Sequence, residues 1–188
     1  MFNEENVLLD PYSRAVTGQR KWGEKPEGGK DFEYRARVVK SSFDWGNIKQ
    51  LEQPFEDLVI YEIHVRGYTK DKSSGVSAPG TFAGLKDKIP YLKDLGINAV
   101  ELMPIFEFDE MESARVVDGV QLYNYWGYNT VSFFAPNTSY AFNEEHNHEG
   151  DELKSLIKAL KENGIEVILD VVFNLSLIHI SEPTRPLY

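Results

Sequence analysis

From Asp57 onward the sequence predicts an α/β fold, the opening three strands and two helices of a (β/α)8 barrel. Three observations carry that expectation. Extended and helical patterns alternate, and the extended stretches are almost wholly apolar, as in a parallel sheet buried on both faces. After Val65 the chain reads RGYTKDKSSGVSAPG, without the glycine-rich phosphate turn that a doubly wound dinucleotide fold carries after its first strand. A long connection from Pro104 to Glu149 then follows the second strand, and barrels house their function in such loops.

In chain order, residues 1–56 are rich in Gly, Pro and charge. Within them FEYRARVV alternates Phe32, Tyr34, Ala36 and Val38 with charged or polar residues, which predicts an outer strand of a small β-domain. DLVIYEIHVRGY predicts one long extended run, with Val59, Tyr61, Ile63 and Val65 on one face and Ile60, Glu62, His64 and Arg66 on the other. Thr81 is placed to cap a helix in which Leu85, Ile89 and Leu92 share a face, Pro90 introduces a kink and Gly96 marks the end. The second helix, DELKSLIKALKENG, sets Leu153, Leu156, Ile157 and Leu160 on one face, with Asp151 as cap and Gly164 as stop. The two helix ends repeat: LKDLGINAVEL and LKENGIEVILD share Leu-Lys, an acid, Gly-Ile and an apolar strand.

The composition, 41% hydrophobic and 13% aromatic, is that of a chain with a packed core. A net charge of −10 and a pI near 4.9 argue against nucleic acid or an anionic membrane as partner, since either needs a basic face; a neutral substrate fits better. With no cysteine there is no disulfide scaffold, thiolate chemistry or Cys metal site, which suits the cytoplasm rather than a secreted setting. MFNEENVLLDPYSRAV lacks the basic-then-apolar pattern of a signal peptide, and no window approaches a membrane span.

Chemistry concentrates in the loop after the second strand. QLYNYWGYNTVSFFAPNTSYAF sets Tyr123, Tyr125, Trp126, Tyr128, Phe133, Phe134, Tyr140 and Phe142 close together, a density of flat faces suited to the apolar side of a sugar ring. Most of them are expected to pack the loop on the barrel rim. Trp126 and Tyr128 differ, because Gly127 between them lets the backbone come close and leaves two rings flanking it. Glu62, His64 and Arg66 either frame a polar active-site floor or form a network that satisfies itself. His146 and His148 beside Glu144, Glu145 and Glu149 read as a solvated surface more than as a metal site. Asp170 ends an apolar strand where a barrel builds its site, so its carboxylate must order neighbours or touch ligand.

These motifs resemble the α-amylase superfamily, glycoside hydrolase family 13, and within it the isoamylase-type debranching enzymes. DVVFN is similar to the family's first conserved block, NYWGYNTVSFFAP to the isoamylase form of the loop after the second strand, and VIYEIHVRGYT with GTFAGLKDKIPYLKDLGINAVELMP to the opening of its TIM barrel. LLDPYSRAVTG resembles the connection out of the β-sandwich starch-binding module that precedes such barrels. The resemblance implies a retaining hydrolase of α-1,6 branch linkages in glycogen, starch or amylopectin, with pullulanase, branching enzyme and non-catalytic glycan-binding protein as alternatives. It implies that Tyr128 stacks on the glucose at the cleavage point and that Asp170 organises its floor; with Trp126 and His64 from the reading of the residues above, these make the expected substrate site. The family's nucleophile and acid/base follow its fourth and fifth strands, so no catalytic residue is assigned here, and the chain alone is expected to be inactive. No cofactor is implied; calcium stays open, with no residue set assignable to it.

The expected organisation is residues 1–56 as the end of the β-sandwich module and linker, 57–174 as the first part of the barrel, and 175–188 as a non-native tail. The family places His after Asn174; this chain has Leu175, and Leu175 to Arg185 back-translate to the transposase mosaic-end adapter used in sequencing libraries.

Overall fold

In the computed structural model, residues 8–25 and 34–173 are described; Phe32 and the expected tail lie outside them. Three parallel strands, β1 (Ile60–Ile63), β2 (Ala99–Leu102) and β7 (Glu166–Leu169), form a sheet in the order β1-β2-β7. Their register is level, with Ile63, Leu102 and Leu169 side by side. Crossovers from one strand through a helix to the next parallel strand are the repeating step of a (β/α)8 barrel.

Between β1 and β2 lie α1 (Val65–Lys70), α2 (Phe82–Lys86) and α3 (Ile89–Asp94); α4 (Glu149–Glu162) joins β2 to β7. Thr81 caps α2 as its spacing predicts, its Oγ1 accepting the Gly84 N–H at 3.1 Å. Pro90 does more than kink the predicted helix. The helix breaks after Lys86 and restarts at Ile89, which puts Pro90 in a first turn, where its missing N–H has no helical partner to lose. Gly96 and Gly164 end their helices at φ +82° and +77°, a conformation only glycine adopts without strain. Helix α4 starts two residues before the expected cap, so Asp151 lies inside its first turn, where it pairs with Lys154 at 3.2 Å. A carboxylate there still favours the helix, by facing the positive end of its dipole.

The core forms where the helices meet one face of the sheet. Leu102, Leu156 and Leu160 are fully buried, with Phe82, Leu85 and Leu92 packed against them. Each such leucine contributes about 2 kcal/mol by leaving water. Burial on both faces holds only for the central strand β2. In β1, Ile60 and Tyr61 are 42% and 36% exposed, and Leu169 of β7 is 37% exposed, because each outer strand has a neighbour on one side alone.

The long connection is elaborated, as expected. β3 (Phe106–Phe108) pairs antiparallel with β6 (Thr130–Pro136), and β4 (Arg115–Val117) forms a hairpin with β5 (Val120–Leu122). The Asp118-Gly119 turn, both residues at positive φ, matches the strand twist of a two-residue hairpin. Among the described residues of FEYRARVV, the predicted strand is reduced to one antiparallel bridge between Val16 and Ala36. Val38 is 98% exposed, so its alternation has no partner surface to bury against.

Candidate substrate site

The carboxyl ends of the three strands are level, so the residue after each strand stands at one height: His64, Met103 and Asp170. Backbone bonds carry the register one step further, Met103 N–H to the Ile63 carbonyl at 3.0 Å and Asp170 N–H to the Leu102 carbonyl at 2.9 Å. Because Ile63 and Leu102 face the helices, Glu62 and Glu101 face the other way, and Asp170 shares their side of the sheet. This is the side that a closed barrel turns inward.

The aromatic loop folds over these strand ends. The Tyr128 hydroxyl donates to Asp170 Oδ2 at 2.5 Å, joining two of the predicted residues across 42 positions of sequence. The hydrogen bond to Asp170 raises the Tyr128 phenol to about 12, helped by desolvation and by the negative charges of Asp170, Glu62 and Glu101. Trp126 is 55% exposed and stands edge-on to Tyr125, with ring centroids 5.1 Å apart. Gly127 between Trp126 and Tyr128 has φ +77°, and a Cβ there would lie 2.5 Å from the Phe108 ring, so the backbone packs closely on Phe108 at a position that requires glycine. A half-buried phenol tied to a carboxylate beside an exposed indole can stack on a sugar ring and accept or donate to its hydroxyls.

His64 is placed differently from its predicted role. It is 8% exposed, its ring lies flat on Tyr125 at 4.0 Å and 6°, and both nitrogens are engaged within the protein. Of the two readings of Glu62, His64 and Arg66, a continuous polar floor does not form, because the chain leaves the extended conformation just after His64. Its imidazole accepts the Gly67 N–H and starts α1, and Arg66 is carried onto the Trp22 ring, 4.5 Å from its centroid. Of the other rings, Tyr140 is buried as packing, while Phe134 and Phe142 are 55% and 62% exposed. His146 contacts Arg20 and His148 reaches Glu145 at 3.5 Å. Among the described residues no group of three or more His, Cys, Asp or Glu is arranged to hold a metal ion.

One feature escaped the sequence reading. Glu107 and Glu110 are 1% and 0% exposed. Glu107 accepts the Thr138 N–H at 2.6 Å and its hydroxyl at 3.2 Å, and Glu110 accepts the Gly23 N–H at 2.8 Å. Burial pushes Glu107 up to about 8 and Glu110 up to about 7. Gln19 adds a bond from its amide to Asp109 at 2.6 Å. These acids thus hold residues 18–23 against the loop that carries the aromatic rings. The signal was the alternation of Phe and acid in FEFDE, which states that one face is acidic without stating that this face is buried.

A profile of the α-amylase catalytic domain matches residues 38–184. The chain belongs to the α-amylase family. Among family relatives, isoamylase 1 of Arabidopsis thaliana chloroplasts is 41% identical over 181 residues, and chloroplastic isoamylase 3 of Oryza sativa is 45% identical over 178. Each of those alignments covers 92% of this chain and 23% of the relative. The glycogen operon protein GlgX homolog of Haemophilus influenzae is 36% identical over 199 residues, covering 99% of this chain and 29% of the relative. Among solved structures, the type I pullulanase of Bacillus subtilis complexed with maltose superposes with a TM-score of 0.72 at 29% identity, over 93% of this chain and 24% of that one. The chain therefore spans about a quarter of the length of the curated relatives it matches, and its parallel strands are the opening of the α-amylase barrel.

Proposed function

We propose that this chain is the glucan-facing opening of a retaining debranching hydrolase that cleaves α-1,6 branch linkages in glycogen- or starch-type α-glucan. The observation that carries the reading is the Tyr128–Asp170 hydrogen bond at the carboxyl ends of the strands, beside the exposed Trp126. Tyr128 and Trp126 provide the stacking faces and Asp170 fixes the phenol. Retaining hydrolysis needs a nucleophile and an acid/base about 5–5.5 Å apart, and on this reading both come from strands outside the 188 residues. The isoamylase type is favoured over pullulanase by identities of 41% and 45% to isoamylases, against 29% to the pullulanase. The accompanying domain division is 1–56 for the end of the β-sandwich module, 57–174 for the barrel and 175–188 for a non-native tail.

Calorimetric titration with maltohexaose, together with a reducing-sugar assay on glycogen, tests this. Binding by the 188-residue chain that is lost in Tyr128→Ala, without hydrolysis, is the expected result. Hydrolysis by this chain, or binding unchanged in Tyr128→Ala, refutes it.

A further inference from the structure

We infer that His64 is a positioning residue: its imidazole fastens the Tyr125–Tyr128 turn to the end of β1 and sets the orientation of Trp126 without touching substrate. The inference rests on the glucan reading of that turn for its functional meaning, but its geometry stands on its own.

The ring is held on every polar atom. Nδ1 accepts the Gly67 N–H at 2.9 Å, and Nε2 donates to the Tyr125 carbonyl at 2.7 Å. Both bonds require the same neutral tautomer, with the proton on Nε2. The Tyr140 hydroxyl stands 3.4 Å behind Nε2, and the Trp126 ring meets the imidazole edge-on at 6.4 Å. Tyr125 lies over Gly67, where a Cβ would collide with the Tyr125 hydroxyl, so the stacking needs glycine at that position. Three residues after Tyr125, Tyr128 is tied to Asp170. The turn is thus fastened at both ends, by His64 from β1 and by Asp170 after β7, with Trp126 between them.

Adding a second proton would convert Nδ1 from acceptor to donor. It would then oppose the Gly67 N–H, remove the cap of α1 and loosen the end that holds Tyr125. The groups facing the ring are Arg66 of α1, whose charge opposes that proton, and the phenols of Tyr125 and Tyr140. Burial first, and Arg66 as well, keep His64 below the ordinary 6.5, so the neutral form prevails at neutral pH.

The test is an NMR titration of the 188-residue chain from about pH 8 to 5, following the His64 ring nitrogens, the Trp126 indole N–H and the Tyr125 amide. The expected result is the Nε2–H tautomer at neutral pH, with Trp126 and Tyr125 moving together at the His64 midpoint. His64→Gln, which can still donate to the Tyr125 carbonyl, should hold Trp126 near its original position and abolish the pH dependence. His64→Ala should displace Trp126 and weaken maltohexaose binding roughly tenfold, the effect of losing one to two hydrogen bonds. A Trp126 signal indifferent to His64 protonation, or pH-dependent in His64→Gln as in the original, overturns the inference even if the alanine variant does not fold. Absence of maltohexaose binding by the original chain would instead refute the glucan reading, and the ligand-free titration would still decide the role of His64.

Discussion

Replacing Glu107 by glutamine should flatten the dependence of stability on pH. Glu107 is fully enclosed and its carboxyl is raised from 4.5 to about 8, chiefly by burial and secondarily by the nearby Glu110. The folded chain therefore keeps a proton that the unfolded chain releases above 4.5. Stability from this group is fully present below 4.5 and is lost as pH rises toward and through 8. At 1.36 kcal/mol per unit, the loss approaches about 5 kcal/mol, a large share of the roughly 5–15 kcal/mol that holds a domain folded. For a chain of this size each kcal/mol moves the melting temperature by roughly 2–4 °C, and about 3.5 kcal/mol of the loss falls between pH 5 and pH 8, so Tm should fall by about 7–14 °C over that interval. Glutamine stays neutral and its carbonyl still accepts the Thr138 N–H, so Glu107→Gln should lose more than half of that slope. Thermal melts by circular dichroism at four pH values measure it. A melting temperature that rises from pH 5 to 8, or an unchanged slope in Glu107→Gln, would refute the reasoning.

Asp170→Asn should bring the Tyr128 phenol from about 12 back toward 10, because its principal hydrogen bond and a negative charge are removed together; the carbon shift of the Tyr128 ring across alkaline pH measures it. Gly127→Ala should cost about 1–3 kcal/mol, from backbone strain at φ +77° and collision with Phe108, read by urea unfolding; a change under about 0.5 kcal/mol contradicts the packing. Trp22→Ala should cost about 3 kcal/mol in the same assay, since Trp22 stacks on Tyr140 at 6.2 Å, meets Phe108 at 5.9 Å and carries Arg66.

What could be read from the sequence was set by local rules. Thr81 three residues before Gly84, the leucine spacing of α4 and the glycines after both helices each act within a turn of chain, so the three parallel strands and the helices that begin at Thr81 and before Leu153 were legible in order and type. The strand end at His64 was not. A run of Val, Ile and Tyr favours extension, and what stops it is an imidazole held by Tyr125, 61 positions away. The same distance problem hid Glu107, whose partner Thr138 lies 31 positions on. Tyr34 to Val38 failed in the opposite sense: the alternation was genuine, but alternation becomes a strand only where another strand supplies bonds, and among the described residues the pairing is the single Val16–Ala36 bridge, bonded through Ala15 and Thr17. Tyr128 and Asp170 come together because loop and strand end meet there, whereas His64 holds the same loop from beneath through Tyr125.

The central claim is that Trp126, Tyr128 and Asp170 form one glucan-binding surface. Titrating the labelled 188-residue chain with maltohexaose and mapping the perturbed NMR signals tests it directly. The account predicts the largest shifts at the Trp126 indole, the Tyr128 ring and the Asp170 amide, with Phe134 and the β4–β5 hairpin unmoved. Saturable binding whose shifts cluster away from those three residues, or no binding at all, would contradict it.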